Sequence, residues 1–239
     1  MRTIPHLHDF ISELPELVQA EIARLSTTRQ VTAGEAVYRA GDPSTEIFRL
    51  IEGAVKLCNY TLDGAEIITG EFRPGDCFGD TGVIDGLPRV SNAIAVKNSQ
   101  LSVVSQQNFE ILGEKYGEIY LQLSRMLCRR VRFLYSLNED SVGLKLHVRL
   151  ARTLLRLAYS HGHRNEQDEI HIEFSHEELS NMLGTSRQSV SKELKSLERE
   201  GSIELRYGRI YIHELAKLSK KYELDIGMEQ VTPVYNEAP

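Results

Sequence analysis

The sequence predicts an α+β chain: a β-barrel or sandwich, then a long helix, then a small domain of helices and a hairpin. Three observations predict it. Between residues 31 and 108, short runs rich in Val, Ile, Phe and Tyr alternate with turn signals. Spacing those turns about 8–12 residues apart is the mark of an all-β barrel or sandwich. From residue 116 to 144 apolar side chains recur at alternating steps of three and four with no proline between them. The stretch GTSRQSVSKELKSLEREG, residues 184–201, sets two hydroxyls before Arg-Gln-Ser and then apolar residues at helical spacing, with glycine at both ends.

In chain order, residues 9–26 (DFISELPELVQAEIARLS) carry apolar side chains at helical spacing and predict one or two short helices. The turns TAGE, AGDPS, EGA, LDGAE, RPGD and DGLPR then separate the strand segments AVYRAG, IFRLIEG, AVKLCNYT, EIITGEF, SNAIAV and QLSVVS. After Phe109 the pattern becomes helical. Tyr116, Tyr120, Leu123, Leu127, Arg130, Leu134, Leu137, Ser141 and Leu144 form an a/d seam. A sustained period of 3.5 favours a parallel two-stranded coiled coil, and hence a homodimer, over a helix packed on its own barrel. Arg130 and Ser141 are polar seam positions, which cost stability and need a reason. A second helix covers about 145–160, followed by the polar loop HGHRNEQDE and the strand IHIEF. Two helices and a hairpin, IELRYGRIYI with Gly208 at its turn, complete the domain. The organisation expected is 1–115 for the barrel with its N-terminal helices, 116–144 for the dimerisation helix, 145–221 for the last domain and 222–239 for an acidic tail.

Composition narrows the class. The chain has 239 residues, 41% hydrophobic and 26% charged, ordinary for a globular protein. No apolar run approaches the length of a membrane span, and MRTIPHLHDF lacks the basic-then-apolar layout of a secretory signal. A cytoplasmic location is therefore expected. Cys58, Cys77 and Cys128 fit no zinc or cluster spacing and read as reduced thiols. The net charge of −6 is unevenly spread. Residues 146–221 hold 13 Lys and Arg against 11 Asp and Glu, net +2, while the tail holds four acids and no Lys or Arg. P-loop, G-x-S-x-G and H-E-x-x-H motifs are absent, so no enzyme is expected.

Ser175 and Glu178 form an S-x-x-E capping box that starts one helix, and Gly184 ends it. Thr185 and Gln188 form a T-x-x-Q box that restarts the chain as a second helix, with Val190, Leu194 and Leu197 as its buried face. Two short helices across a glycine turn make a helix-turn-helix, and the following hairpin makes a wing. Ser186, Arg187, Ser189 and Lys192 then face outward, with Gln188 beside them. Arg can bind guanine O6 and N7, and Gln can bind adenine N6 and N7. Hydroxyls and helix N-terminal N–H groups suit phosphates.

These residues carry a resemblance. GTSRQSVSKELKSLEREGSIEL resembles the DNA-binding helix of the cyclic-AMP receptor protein/fumarate-nitrate regulator (CRP/FNR) family. RPGDCFGDTGVIDGLPR resembles that family's phosphate-binding cassette, MLCRRV its dimerisation helix and LHVRLARTLLRLA the first helix of its DNA-binding domain. The resemblance covers roughly residues 10–215. It implies a cyclic-nucleotide-binding-type β-barrel of the jelly-roll (double-stranded β-helix) kind, a dimerisation helix and a C-terminal winged helix-turn-helix. It also implies a homodimeric transcription regulator on a two-fold symmetric double-stranded DNA operator, in contact with RNA polymerase. Carried over by position, Thr185, Ser186, Arg187, Gln188, Ser189 and Lys192 contact DNA. Gln188 replaces the family's more familiar glutamate, so the half-site should differ there.

The same resemblance places an effector at Gly79, Asp80, Arg89, Val90, Ser91, Arg130, Leu134 and Tyr135. Asp80 stands where a glutamate commonly holds a ribose hydroxyl, and Arg89 where an arginine pairs with the cyclic phosphate. Arg130 resembles the arginine that reaches the same pocket, which would explain its polar seam position. Val90 departs from the Ser or Thr expected after that arginine. Leu134 and Tyr135 depart from the hydroxyls expected against the base. Three readings stay open: a cyclic nucleotide (cyclic AMP or cyclic GMP), another small molecule, or no effector at all. Iron–sulfur sensing would need cysteines before Cys58, and haem a histidine on the barrel. Neither is present, so neither group is expected. A ligand-binding module whose helix-turn-helix contacts protein is the alternative of another class.

Overall fold

A computed structural model of the chain describes residues 7–64, 66–165 and 169–222. The expected tail beyond residue 222 lies outside the described residues, as do residues 166–168 of the polar loop. Packing divides the chain into two compact units that meet between Cys128 and Arg129.

The first unit opens with helix α1 (Glu16–Leu25), which buries Val18 and Ile22. Eight strands follow: β1 (Thr27–Val31), β2 (Ala36–Tyr38), β3 (Glu46–Glu52), β4 (Val55–Tyr60), β5 (Glu66–Phe72), β6 (Cys77–Phe78), β7 (Asn92–Ala95) and β8 (Ser99–Ser105). They form two four-stranded antiparallel sheets, ordered β1-β8-β3-β6 and β2-β7-β4-β5, the double-sheet jelly roll. Alternating side chains from both sheets fill the space between them, including Val31, Phe48, Leu50, Val55, Leu101 and Val103. Phe48 and Phe72 each stack on Phe78, at 5.2 and 4.8 Å between ring centres. The two-residue strand β6 and the short helix α2 (Asp80–Asp85) lie in the cassette, where glycine-rich sequence hides periodicity.

Helix α3 (Gln106–Lys115) follows β8, capped by Ser105, whose hydroxyl accepts from the Asn108 N–H. Tyr116 ends it, so the expected continuous helix is broken at Tyr116–Gly117 and restarts as α4 (Glu118–Gly143). A second core joins α1, α3 and the start of α4 through Phe10, Ile22, Phe109, Leu112, Ile119 and Met126.

The second unit contains the rest of α4 and α5 (Leu146–His161). Strands β9 (His163–Arg164) and β10 (Ile170–Ile172) follow, then α6 (His176–Leu183) and α7 (Arg187–Arg199). The chain closes with β11 (Ile203–Arg206), β12 (Arg209–Ile212) and α8 (Leu215–Tyr222). One apolar cluster holds it together: Leu150, Leu154 and Leu155 of α5 meet Leu179 and Leu183 of α6 and Val190, Leu194 and Leu197 of α7. The four strands pair in the order β11-β12-β10-β9, and Ile203, Ile210 and Ile212 close the core from the sheet side. The whole is a jelly-roll β-domain, a long helix and a winged helix-turn-helix. No helix among the described residues is long and apolar enough to cross a membrane.

Candidate nucleic-acid interface and effector site

The helix pair is set by its caps. Ser175 accepts from the Glu178 N–H, and the Glu178 carboxylate accepts from the Ser175 N–H at 2.7 Å, so the expected capping box is present. Gly184 ends α6 with a φ of +60°, a left-handed conformation that suits glycine. Around it, the Gly184 N–H donates to Asn181 O and the Thr185 N–H to Ser180 O, the paired bonds of a Schellman stop. Arg149 Nη2 also donates to Leu183 O at 2.6 Å. Because the Thr185 N–H closes the first helix, the second begins one residue later than the sequence suggests. Ser186, not Thr185, is the N-cap of α7, and its hydroxyl accepts from the Ser189 N–H at 3.1 Å.

On α7, Val190, Leu194 and Leu197 are buried, while Arg187, Gln188 and Lys192 are exposed. Among the described residues these three exposed side chains make no hydrogen bond or ion pair, so all three are available to an outside partner. Ser186 is also exposed, and Thr185 and Ser189 are half-buried. Lys192, Lys195 and Arg199 form an exposed basic stripe in line with Gln188. Their spacing of three and four along one helix face was the signal for them in the sequence. The wing arginines are already engaged: Arg206 lies 3.9 Å over the Tyr211 ring and binds Glu204, and Arg209 binds Glu173 at 2.9 Å. Tyr207 at the wing tip is fully exposed.

In the β-domain, Gly79 precedes α2 with a φ of +78°. A Cβ there would come within 2.7 Å of Arg89 Nη1, so glycine is required by close approach as well as by conformation. Asp80, Arg89 and Ser91 are all buried. The Arg89 guanidinium is turned onto the protein itself. Nη1 donates to Gly79 O at 2.5 Å and Nη2 to Glu46 O at 2.6 Å, and the group lies 4.4 Å over the Tyr38 ring. Burial pushes its pKa below the ordinary guanidinium value, opposed by Tyr38, Glu46, Asp80 and Asp42. Val90 points outward with 76% exposure. The structure thus brings Gly79, Asp80 and Arg89 together, buries Ser91 nearby in sequence and leaves Val90 outside. Arg130, Leu134 and Tyr135 belong to the other unit; Arg130 is half-buried, and Leu134 and Tyr135 are exposed.

The first half of the expected seam on α4 packs into the chain's own core. Leu123 is 2% exposed inside the core of its own unit, Leu127 packs against that core, and the Tyr120 ring meets Phe109 edge-on at 5.7 Å. Arg130 is half-buried, Leu134, Leu137 and Ser141 are exposed, and Leu144 lies beyond the end of α4. The exposed stripe that runs the length of α4 is the neighbouring one: Leu121, Ser124, Cys128, Val131, Tyr135, Asn138 and Val142, again at steps of three and four. An apolar period along a helix gives a stripe but not its partner, and here the β-domain takes the first half of the stripe expected from sequence.

Comparison with known proteins agrees with this layout. Residues 28–116 match the model of the cyclic nucleotide-binding domain, and residues 148–221 that of the Crp-like helix-turn-helix domain. The transcriptional regulator LdrP of Thermus thermophilus is 29% identical over 187 residues, covering 78% of this chain and 92% of its own. The cAMP-activated global transcriptional regulator Vfr of Pseudomonas aeruginosa is 29% identical over 182 residues, covering 74% and 85%. Among solved structures, TTHB099 of Thermus thermophilus, a transcriptional regulator of the CRP family, superposes with a TM-score of 0.64 at 29% identity over 81% of this chain and 96% of its own.

Proposed function

The chain belongs to the CRP/FNR family of transcription regulators, and on that premise we propose that it acts as a homodimer gripping a two-fold symmetric operator through two copies of α7. The observation that carries this is the pairing of a fully buried face on α7 with exposed Arg187, Gln188 and Lys192 at its N-terminal end. A recognition helix reads bases with its N-terminal residues, and a dimer places two such helices about 34 Å apart, one helical turn of DNA. The exposed stripe of α4 supplies the dimer contact, and RNA polymerase is the further partner. The protein works in the cytoplasm as a regulator and not as an enzyme, in line with the relatives it matches.

Gly79, Asp80, Arg89 and Ser91 form the effector site, and a cyclic nucleotide is the ligand that suits them. A buried arginine beside a carboxylate matches a cyclic phosphate and a ribose hydroxyl. Vfr, which is named as cAMP-activated, supports this choice. For a nucleotide to enter, Arg89 must exchange two carbonyl acceptors for the phosphate. That arrangement favours a second reading, in which Arg89 is a permanent internal strut and the regulator needs no effector. Calorimetry with cyclic AMP and cyclic GMP, followed by operator binding with and without each nucleotide, separates the two. Binding that tightens DNA association establishes the switch, because an effector shifts only a state it binds better. Equal DNA affinity without any nucleotide binding establishes the strut. Lack of salt-dependent DNA affinity would overturn the DNA-binding assignment altogether, since phosphate contacts dominate that affinity.

A further inference from the structure

A cavity of about 120 Å³ lies between α1 and the outer face of the β1-β8-β3-β6 sheet. Its inner walls are the buried side chains of Phe10, Ile22, Ile47, Val104, Phe109 and Leu112. Phe10 and Phe109 meet edge-on, with ring centres 6.4 Å apart. Towards the surface the lining passes to Gln19, Ala23 and Ile51, of which Ala23 and Ile51 are exposed. An apolar cavity of roughly 150 Å³ with walls of this kind stays dry and takes up benzene.

Strand register adds two polar groups to this wall. On β3 and β8, Ile47 lies opposite Val104 and Arg49 opposite Ser102. Directly opposed residues share a face of the sheet, with Cβ atoms about 4.5–5.5 Å apart, so Arg49 and Ser102 stand side by side, and both line the cavity. Phe48 and Val103, between the two pairs, turn the other way into the jelly-roll core. Arg89 lies over the Phe48 ring, so the cavity and the Gly79–Arg89 site are on opposite sides of the sheet. Arg49 is loosely held. Its Nε donates to Gly75 O at 3.4 Å, and its Nη2 lies 3.7 Å from Asp9 Oδ2. Both distances exceed the usual range of about 2.7–3.2 Å. Asp9 is committed elsewhere, since its Oδ1 accepts from the Ile11 and Ser12 N–H groups at 2.9 and 3.0 Å. A guanidinium has more N–H donors than these contacts use.

We propose that this cavity is a binding site for a small aromatic monocarboxylate, with the ring among Phe10, Ile47 and Phe109 and the carboxylate against Arg49 and Ser102. Each part of the ligand answers a feature of the wall. Phenyl side chains pack favourably edge-to-face or offset against a further ring. A guanidinium holds a carboxylate through short, charge-assisted hydrogen bonds, and the neighbouring hydroxyl supplies one more donor. The volume suits one ring. The site lies wholly in the first unit and does not depend on whether α7 reads DNA.

Benzoate is the probe. Titrated into the full-length protein carrying ¹³C-labelled isoleucine methyl groups, it should shift the resonances of Ile22, Ile47 and Ile119, which all line the cavity, together and to saturation. R49M keeps an unbranched arm without the charge and should bind benzoate roughly tenfold more weakly, the loss expected for a hydrogen bond to a charged group. Benzyl alcohol, the same ring without a carboxylate, should bind wild type and R49M alike. A23F, at an exposed position of α1, fills the mouth and should bind neither compound. Should R49M not fold, S102A takes its place and should also weaken benzoate more than benzyl alcohol. Methyl groups that stay fixed at high benzoate overturn the proposal. So does A23F binding as tightly as wild type, which would put benzoate elsewhere. Equal loss of both compounds, or of neither, in the Arg49 or Ser102 variant removes the carboxylate contact and overturns it as well.

Discussion

Asp140 and Arg152 form a buried ion pair, Oδ1 to Nη1 at 2.5 Å, with only 4% and 2% of the two residues exposed. The other carboxylate oxygen takes Arg156 Nη2 at 2.6 Å, and Arg152 Nε donates to Tyr222 O. Asp140 stands near the end of α4 and both arginines lie on α5, so one carboxylate fastens the two helices on either side of the turn at Leu144 and Lys145. Removing it takes the shared carboxylate away from two buried guanidinium groups. Breaking a buried pair from one side costs about 3–5 kcal/mol, far more than an exposed pair is worth. Asp140→Ala should therefore lower unfolding stability by about that amount in denaturant titration. A loss under about 1 kcal/mol, the value typical of exposed pairs, would show that the pair is not enclosed in solution.

On α7, Arg187 is exposed and unengaged at the first helical position, where a guanidinium can reach a base edge. Arg187→Ala should weaken binding to a selected operator by about 1–3 kcal/mol while changing affinity for scrambled DNA much less. Lys195→Ala, further along the exposed stripe, should weaken both DNAs alike and flatten the salt dependence, as expected for a phosphate contact. Gel-shift titrations of both variants at several salt concentrations measure this. An Arg187→Ala variant with unchanged discrimination would remove that residue from base reading.

Much of this architecture was legible because local chemistry and tertiary role coincide. The Ser175–Glu178 box and the Gly184 stop are local devices, and both are present as read. The strands from Ala36 to Ser105 were legible because turns punctuate them at even spacing. Thr185 was misread as a cap because two adjacent hydroxyls look alike in sequence, and only the Schellman bond from the Thr185 N–H decides between them. The first half of the seam on α4 is covered by the chain's own core for a different reason. Leu123 and Leu127 belong to a periodic stripe, but whether the β-domain or another chain covers it depends on packing by Phe10, Phe109 and Leu112, far away in sequence. The turn of Arg89 onto the carbonyls of Gly79 and Glu46 has no sequence signature, since carbonyl acceptors occur at every residue.

The three cysteines should differ sharply in reactivity. Cys58 and Cys77 are wholly buried, and burial pushes both thiol pKa values up, so little thiolate forms near neutral pH. Cys128 is exposed on α4. Native protein treated briefly with a maleimide should leave Cys58 and Cys77 unlabelled, as read by peptide mass spectrometry, and take up label at both only after unfolding. Rapid native labelling of Cys77 would contradict the packing of β6 against the first-unit core.

Cys128 also marks the stripe on which the dimer assignment depends. In a parallel pair of helices, residues at a and d positions face their own copies across the two-fold axis. If the exposed stripe through Cys128, Val131 and Tyr135 is the contact, mild oxidation should link two chains through Cys128 and yield a band of twice the monomer mass. Tyr135→Glu, which sets two carboxylates against each other at the contact, should shift sedimentation toward monomer and abolish tight operator binding. Leu123→Ala should behave in the opposite way. It opens a cavity in the chain's own core, where such truncations cost about 2–5 kcal/mol, and leaves the dimer contact intact. A Leu123→Ala protein that dissociates while Tyr135→Glu remains dimeric would restore the register first read from the sequence.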